Sequence, residues 1–573
     1  MKLPPKYTRR TIIKGITATS LLPLLGSNLV GCSDNNSNNN KSVPADFNHG
    51  VASGDPLGDS VILWTRVTPE RDGNVKVDWE IASDEDFSNV VGSGGGSTGA
   101  DVDYTVKVDV EGLAPQTTYF YRFTTGDQVS PVGRTRTAAV GSLAAASFAV
   151  VSCSNYPAGY FNVYREIAAQ QVDAVLHLGD YFYEYASDGY ASERAEEFGR
   201  VVQPTTELLS LADYRTRYAQ YHTDSDLQSC HAAHPFILVW DDHEIANDAW
   251  REGAENHDPA TEGDYSERRA AAIQAWYEWL PVRPPASEKE IIYRRFQYGD
   301  LVDLLMLDTR HVGRDQQIDY ADFANGGVIE TQASLAAMAD STRTLLGSDQ
   351  LEWLKAGLTE SPARWQVLGQ QILMARLALP EPASRALTIA LGDEDALNEA
   401  TTALLTAVAA KNKAPEDRTP EEQALLDSAI PYNPDAWDGY SFERDDILNH
   451  AAQLDSRLVV LAGDTHNGWA SQLTTADGTP VGVEFACASV SSPGAEAVLG
   501  AGTAGLFAPI AVSLMDDLKY ANLVSRGYVS LTFSPDEVIS EWRYVSAIDT
   551  PEYTMDDEAL TRFSVSRENL LLA

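Results

Sequence analysis

Cysteine is scarce in this chain, with four among 573 residues. Setting Cys32 aside for the moment, Cys153, Cys230 and Cys487 remain. An odd number excludes a complete disulfide framework. Cys230 and Cys487 lie near apolar runs and read as small core residues or as a mutual disulfide. An unpaired thiol at Cys153, where a strand runs out in an oxidising compartment, is a liability unless a metal holds it. Positive charge is scarce too: 42 Lys and Arg stand against 83 Asp and Glu, a formal net charge of −41. So acidic a surface repels polyanions at long range and argues against nucleic-acid binding as a function. It suits a protein kept soluble in a saline exterior. Beyond the first thirty residues or so there is no membrane span and no internal repeat, and nothing marks a serine as an activated nucleophile.

What is present begins with a leader. Thr8-Arg9-Arg10-Thr-Ile-Ile-Lys14 is a twin-arginine pattern, and Ile16 to Val30 is a short, mildly apolar run. Leu29-Val30-Gly31-Cys32 places small residues ahead of a cysteine, as in the lipobox of bacterial lipoproteins. A basic segment followed by a short apolar one is a signal peptide rather than a span. The expectation is a leader over 1–31, export by the twin-arginine route, and a lipid on Cys32. That lipid would hold the protein to a membrane, in the periplasm or at the cell surface. A polar tether over 32–46 follows, with Asp34-Asn-Asn-Ser-Asn-Asn-Asn-Lys41 at its centre.

Hydrophobic residues make up 44% of the chain, ample for a large interior, and the length implies two or three domains. From 47 to 138 the pattern is all-β. Val61-Ile-Leu-Trp-Thr-Arg-Val67 and Val75-Lys-Val-Asp-Trp-Glu-Ile81 read as strands, and Gly92 to Gly99 reads as a glycine-rich loop. Leu113-Ala-Pro-Gln-Thr-Thr-Tyr119 resembles the tyrosine-corner segment of fibronectin-type sandwiches. A small β-sandwich domain is expected here. After a short linker, residues 146–573 alternate strand and helix. Strands are expected at Phe148–Ser152, Ala174–Gly179, Pro235–Trp240, Val302–Leu307, Trp365–Gly369 and Leu458–Ala462, which indicates α/β layers. Residues 377–432 break the rhythm as an acidic, alanine-rich helical insertion, read as a surface excursion or, alternatively, a lid.

Several apolar runs end alike. Ala149-Val-Val-Ser-Cys153 leads into Ser-Asn155-Tyr156, and Leu176-His-Leu-Gly-Asp180 leads into Tyr-Phe-Tyr183-Glu184. Another strand meets Trp240-Asp241-Asp242-His243-Glu244, and Leu461-Ala-Gly-Asp464-Thr-His466-Asn467 closes the set. Parallel sheets bind ligands beyond the carboxyl ends of their strands. Thiolate, phenolate and imidazole suit iron, whereas oxygen donors suit calcium. One shared metal centre hydrolysing phosphate esters is the reading.

In this order the motifs resemble the metallophosphoesterases, and more closely their alkaline phosphatase D (PhoD-type) family. The matching segments are Cys153-Ser-Asn155-Tyr156, His177-Leu-Gly-Asp180-Tyr181, Trp240 to Glu244, and Gly463 to Asn467. Phe47 to Pro56 with Ser60 to Arg66 also resembles the family's N-terminal signature. The resemblance implies a layered αββα metallophosphoesterase domain behind an N-terminal fibronectin- or immunoglobulin-like sandwich. Carried over by position, it implies Fe³⁺ held by Cys153, Asp180, Tyr183 and His466. Asp180 would bridge to one or two Ca²⁺ ions, which also take Asp242 and Asp464, with Asn247 a further donor.

On that reading two cations offset charge on the phosphoryl oxygens while a metal-bound hydroxide or oxide attacks phosphorus. His243 would hold the transferring group and protonate the leaving oxygen, Asn155 would donate to the phosphate, and Arg310 is a further candidate for substrate binding. The expected activity is that of an alkaline phosphatase and phosphodiesterase acting, as a monomer, on small phosphoesters. A phospholipase D-like diesterase acting on phospholipids is the alternative. A non-catalytic surface protein with structural metals is the contrasting reading.

Overall fold

The computed structural model describes residues 42–285, 291–388 and 394–572. The twin-arginine segment, Cys32 and residues 33–41 of the expected 32–46 tether lie outside the described residues. Val43 and Ala45, by contrast, are buried in the sandwich core, and Ala45–Asp46 pairs with Thr68–Pro69, so the tether ends earlier than expected.

Two large sheets pack face to face. The first runs, in spatial order, Thr561–Ser566, Glu537–Val545, Arg526–Phe533, Ala146–Val151, Ala174–His177, Pro235–Leu238, Val51–Gly54, Ser60–Arg66 and Thr105–Glu111. The second runs Arg294–Tyr298, Val302–Met306, Trp365–Gly369, Leu458–Ala462, Pro480–Ala486, Gly468–Thr474 and Leu518–Asn522. The central strands of each are parallel, so their carboxyl ends emerge together.

Period-two alternation sorts the second sheet's side chains into two cores. Leu304, Val367, Val459 and Leu461 face the interior shared with the first sheet, alongside Val150, Leu176 and Ile237. Leu305, Leu368, Leu458 and Val460 face outward, where helices Gly347–Glu360 and Ser441–Gln453 cover them with Leu354, Leu358, Ile447 and Leu448. Helices Asn162–Ala168 and Ser225–Ala233 pack on the first sheet. The result is the expected helix–sheet–sheet–helix layering.

The N-terminal region is all-β, as its sequence pattern requires. Gly133–Arg136, Thr118–Thr125, Val75–Ala82 and Val90–Thr98 form a separate sheet. It packs through Val77, Trp79, Ile81 and Phe123 onto Val61, Leu63, Val106 and Val108 of the nine-stranded sheet. One sheet of the sandwich therefore continues into the large sheet, joined where Ser53 pairs with Pro235. Tyr119 Oη accepts the Ala114 N–H at 2.9 Å, the bond that a tyrosine corner makes.

The expected glycine-rich loop is instead part of the strand Val90–Thr98. Gly94 lies opposite Trp79, and a Cβ there would stand 2.8 Å from the indole Nε1. Glycine is present so that the ring can lie across the neighbouring strand, not to make a flexible turn. Gly95-Gly96-Ser97-Thr98-Gly99 has the spacing of a nucleophile elbow, but it too ends this strand rather than turning from a strand into a helix.

Cys153, Cys230 and Cys487 are buried and free, so the mutual disulfide does not form. The 377–432 segment carries helices Glu381–Thr388, Glu394–Lys411 and Pro420–Asp427, and its base is closed where Ala378–Leu379 pairs with Ile430–Pro431.

Candidate metal centre

The site forms where the two sets of parallel strands end. Cys153 N–H donates to Gly179 O at 3.1 Å and Ser154 N–H to Asp180 O at 2.8 Å, which locks the first two loops together. Gly179, at φ +107°, admits the Asp241 backbone so closely that a Cβ would meet its nitrogen at 2.6 Å. The Glu244 carboxylate ties the same loops from below. It accepts the Asp180 N–H at 3.1 Å and the Asp241 N–H at 2.7 Å, and also that of Tyr181. Cys153, Asp180, Asp464 and His466 all adopt left-handed backbone, with φ of 63°, 52°, 60° and 60°.

Among the described residues three sets of donor atoms each lie within 4.8 Å of one another: Cys153, Asp180 and His466; Asp180, Asp242 and His243; and Asp241, Asp242 and Asp464. Asp180 joins the first set to the second, and Asp242 the second to the third. Tyr183 belongs with the first, since its Oη donates to Asp180 Oδ2 at 3.0 Å and meets His466 Nε2 at 2.9 Å. His466 Nδ1 lies 2.7 Å from Pro493 O, a bond that fixes Nδ1 as donor and leaves Nε2 as the donor atom for a metal. Tyr190 covers this ring, with centroids 6.2 Å apart and nearly parallel.

The donor set fits cations. Asp180 Oδ1 and Asp242 Oδ1 are buried and have no hydrogen-bond partner, an arrangement that costs free energy unless a cation answers it. Burial, with the neighbouring Asp180 carboxylate, pushes the Cys153 thiol and the Tyr183 phenol well above their ordinary pKa values. Burial likewise raises Asp241 and Asp464 despite the Arg310 guanidinium. For Asp242, Arg310 and His243 outweigh the effect of burial and hold the carboxyl below its usual range. Metal binding would deprotonate those of the raised groups that ligate it and supply the missing positive charge.

His243 is oriented by Glu184. Its Nδ1 lies 2.7 Å from Glu184 Oε2, while Glu184 Oε1 accepts the Asn247 N–H and the Asn256 Nδ2–H, each at 2.8 Å. Burial works against a charged ring, yet Glu184, Asp242 and Asp180 outweigh it and hold the His243 pKa well above the ordinary imidazole value. A proton is thereby kept beside the carboxylate sets.

The other expected residues are placed as follows. Asn155 is buried, with Oδ1 unpartnered and Nδ2 3.5 Å from Tyr190 O. Asn247 stands next to the site, with its Nδ2 3.2 Å from Glu255 Oε2. Arg310 is fully buried, and its three nitrogens all meet carboxylates: Asp241 through Nε, Asp435 at 2.9 Å and Asp464 at 2.8 Å. Residue-by-residue reading missed Glu184, Glu244, Tyr190 and Asp435. Glu184 and Glu244 sit inside the quoted motifs, where a carboxylate among carboxylates has no distinguishing signal. Asp435 follows the insertion in Asn433-Pro434-Asp435, which carries none.

Known proteins resemble this chain over nearly its whole length. A family described as PhoD-like phosphatase matches residues 148–542, and one described as PhoD-like phosphatase, N-terminal domain, matches residues 31–139. The chain is 32% identical to alkaline phosphatase D of Bacillus subtilis (strain 168) over 566 residues, covering 95% of this chain and 85% of that protein. It superposes on a solved structure of PhoD with a TM-score of 0.72 at 30% identity, covering 94% of this chain and 93% of the other.

Proposed function

This chain belongs to the PhoD-like phosphatase family and is a phosphoric ester hydrolase, and on that premise we propose an iron- and calcium-dependent alkaline phosphatase with phosphodiesterase activity. The observation that supports it is the run of donor sets joined through Asp180 and Asp242 beside a proton-bearing histidine. Cys153, Asp180, Tyr183 and His466 would hold Fe³⁺; Asp180, Asp242 and Asp464, with Asn247, would hold Ca²⁺. When bound, the cations supply charge that offsets the phosphoryl oxygens and acidifies the attacking water.

The protein's own groups do the rest. Glu184 secures Nδ1 of His243, so Nε2 would carry the proton for the departing oxygen, a step worth roughly 10²–10⁴-fold. Asn155 Nδ2 donates to a phosphoryl oxygen. Arg310 balances the crowded Asp cluster and reaches substrate only through it. The substrates would be small phosphoesters, and one chain supplies every proposed donor, so a monomer would suffice. Thr8-Arg9-Arg10 and Leu29 to Cys32 support export by the twin-arginine route and a lipid anchor at Cys32, in the periplasm or at the cell surface.

The test is metal analysis of the purified protein beside its visible absorption and its turnover of p-nitrophenyl phosphate and bis-p-nitrophenyl phosphate. Iron and calcium together, a charge-transfer band, and turnover of both esters that EGTA abolishes are expected. Activity with zinc or manganese and no iron would overturn the ligand assignment.

A further inference from the structure

The loop that carries Pro493 leads into an unusual surface element. Two helices, Ala495–Leu499 and Ala501–Leu514, form a hairpin about Gly500, which has φ +75°. From Ala497 to Met515, nineteen residues, the sequence has no Asp, Glu, Lys, Arg or His, in a chain of which 22% is charged. A surface helix ordinarily turns its large apolar residues inward. Here Ala504, Ala508 and Ala511 are buried and Phe507, Ile510, Val512 and Leu514 pack partly buried against the core, yet Leu506 is 72% exposed and Val498 45% exposed. Leu506 is the most exposed large hydrophobic residue among those described. The helix Glu394–Lys411 packs against this hairpin and adds Leu405, 56% exposed.

The hairpin is rooted in the metal centre. Pro493 O is the partner of His466 Nδ1 at 2.7 Å and accepts Tyr190 Oη–H at 2.9 Å. Ser492 Oγ–H donates to Tyr183 Oη at 2.6 Å, and Ala495 N–H to Asn467 Oδ1 at 3.4 Å. Whatever takes up the hairpin's outer face is therefore held beside the site.

We propose that this hairpin docks the enzyme on a lipid surface of zwitterionic headgroups, burying Val498 and Leu506 at the level of the acyl chains. No described helix is long and apolar enough to cross a membrane, so the hairpin lies in the interface rather than spanning it. Its lack of charge, against a net charge of −41, favours neutral headgroups over anionic ones. The same acidity opposes pairing with a second copy of the chain. This docking is separate from the Cys32 anchor and independent of which phosphoester is hydrolysed.

The test uses the full chain with Cys32→Ala, so that no acyl group contributes, loaded with metals and floated with phosphatidylcholine vesicles. The parent should float. V498E/L506E should lower the partition coefficient about tenfold or more, and V498S/L506S by an intermediate factor, with turnover of soluble p-nitrophenyl phosphate unchanged in both. Equal flotation of parent and V498E/L506E would overturn the proposal, as would a parent that does not float. Preference for phosphatidylglycerol vesicles would also overturn it. So would a parent dimer in sedimentation velocity that V498E/L506E dissolves, since a second copy would then cover the face. Turnover of the soluble ester reports separately on the proposed activity.

Discussion

Replacing Glu184 with glutamine exchanges one oxygen for an NH₂ group in a fully buried position, and the consequence can be followed atom by atom. Oε1 now accepts two N–H groups, from Asn247 and Asn256, while Oε2 meets only His243 Nδ1. The amide has one acceptor oxygen. It is drawn to the side with two donors, which turns the NH₂ toward His243. Nδ1 must then accept, so it gives up its proton while Nε2 keeps the other, and the imidazole loses the carboxylate that stabilised its charged form. A hydrogen bond to a charged group contributes about 1.5–3 kcal/mol. At about 1.36 kcal/mol per decade, kcat should fall roughly 10- to 150-fold. With metal contents matched, KM should move little, because what Glu184 then lends the reaction goes through His243. The assay is steady-state hydrolysis of p-nitrophenyl phosphate by protein whose iron and calcium contents match the parent's. A kcat within about twofold of the parent, with metals matched, would refute the reasoning. Loss of activity only in step with loss of metal would refute it as well, since Glu184 would then support the ligands and not the proton.

Three further outcomes are expected. Tyr183→Phe removes the phenol that faces Asp180 and His466, and should remove the phenolate part of the visible charge-transfer absorption on iron loading while leaving that of the Cys153 thiolate, read by absorption spectroscopy. Gly94→Ala places a methyl group 2.8 Å from Trp79 Nε1 and should cost about 1–3 kcal/mol in urea unfolding while leaving turnover unchanged. Glu484, buried in the strand Pro480–Ala486, has its pKa raised by burial from 4.5 to about 7, although it accepts the Met374 and Ala375 N–H groups. A folded pKa above the unfolded one means that this group's contribution is fully present below about pH 4.5 and is lost as pH rises through about 7. Glu484→Gln should therefore flatten the decline in unfolding free energy between about pH 5 and pH 8.

The sheets were legible because parallel strands covered on both faces are near-continuous apolar runs. Trp365–Gly369 and Leu458–Ala462 have the bounds that their sequences suggest. Gly92 to Gly99 misled because glycine was read for its backbone freedom, when Gly94 is required for the space that Trp79 fills. The continuity of the N-terminal sandwich with the large sheet was not legible either. It depends on Ser53 meeting Pro235 across some 180 residues, and no local pattern encodes that register.

The centre itself shows the same division. Its donors were found because they end apolar runs, but what aims them is backbone that a sequence does not display. Cys153, Asp180, Asp464 and His466 all have positive φ, a conformation that costs of order 1–3 kcal/mol for a residue with a side chain. Such turns persist only where their surroundings over-determine them. At Cys153 and Asp180 the bonds from Cys153 N–H to Gly179 O and from Ser154 N–H to Asp180 O, with the Glu244 carboxylate, do so, binding one strand end to the next. The conformation turns each donor sharply out of its strand toward the common centre. A loop relaxed into ordinary extended backbone would carry its donor away from that centre, so Glu244, itself outside the three donor sets, holds the geometry of the candidate ligands Asp180 and Asp241.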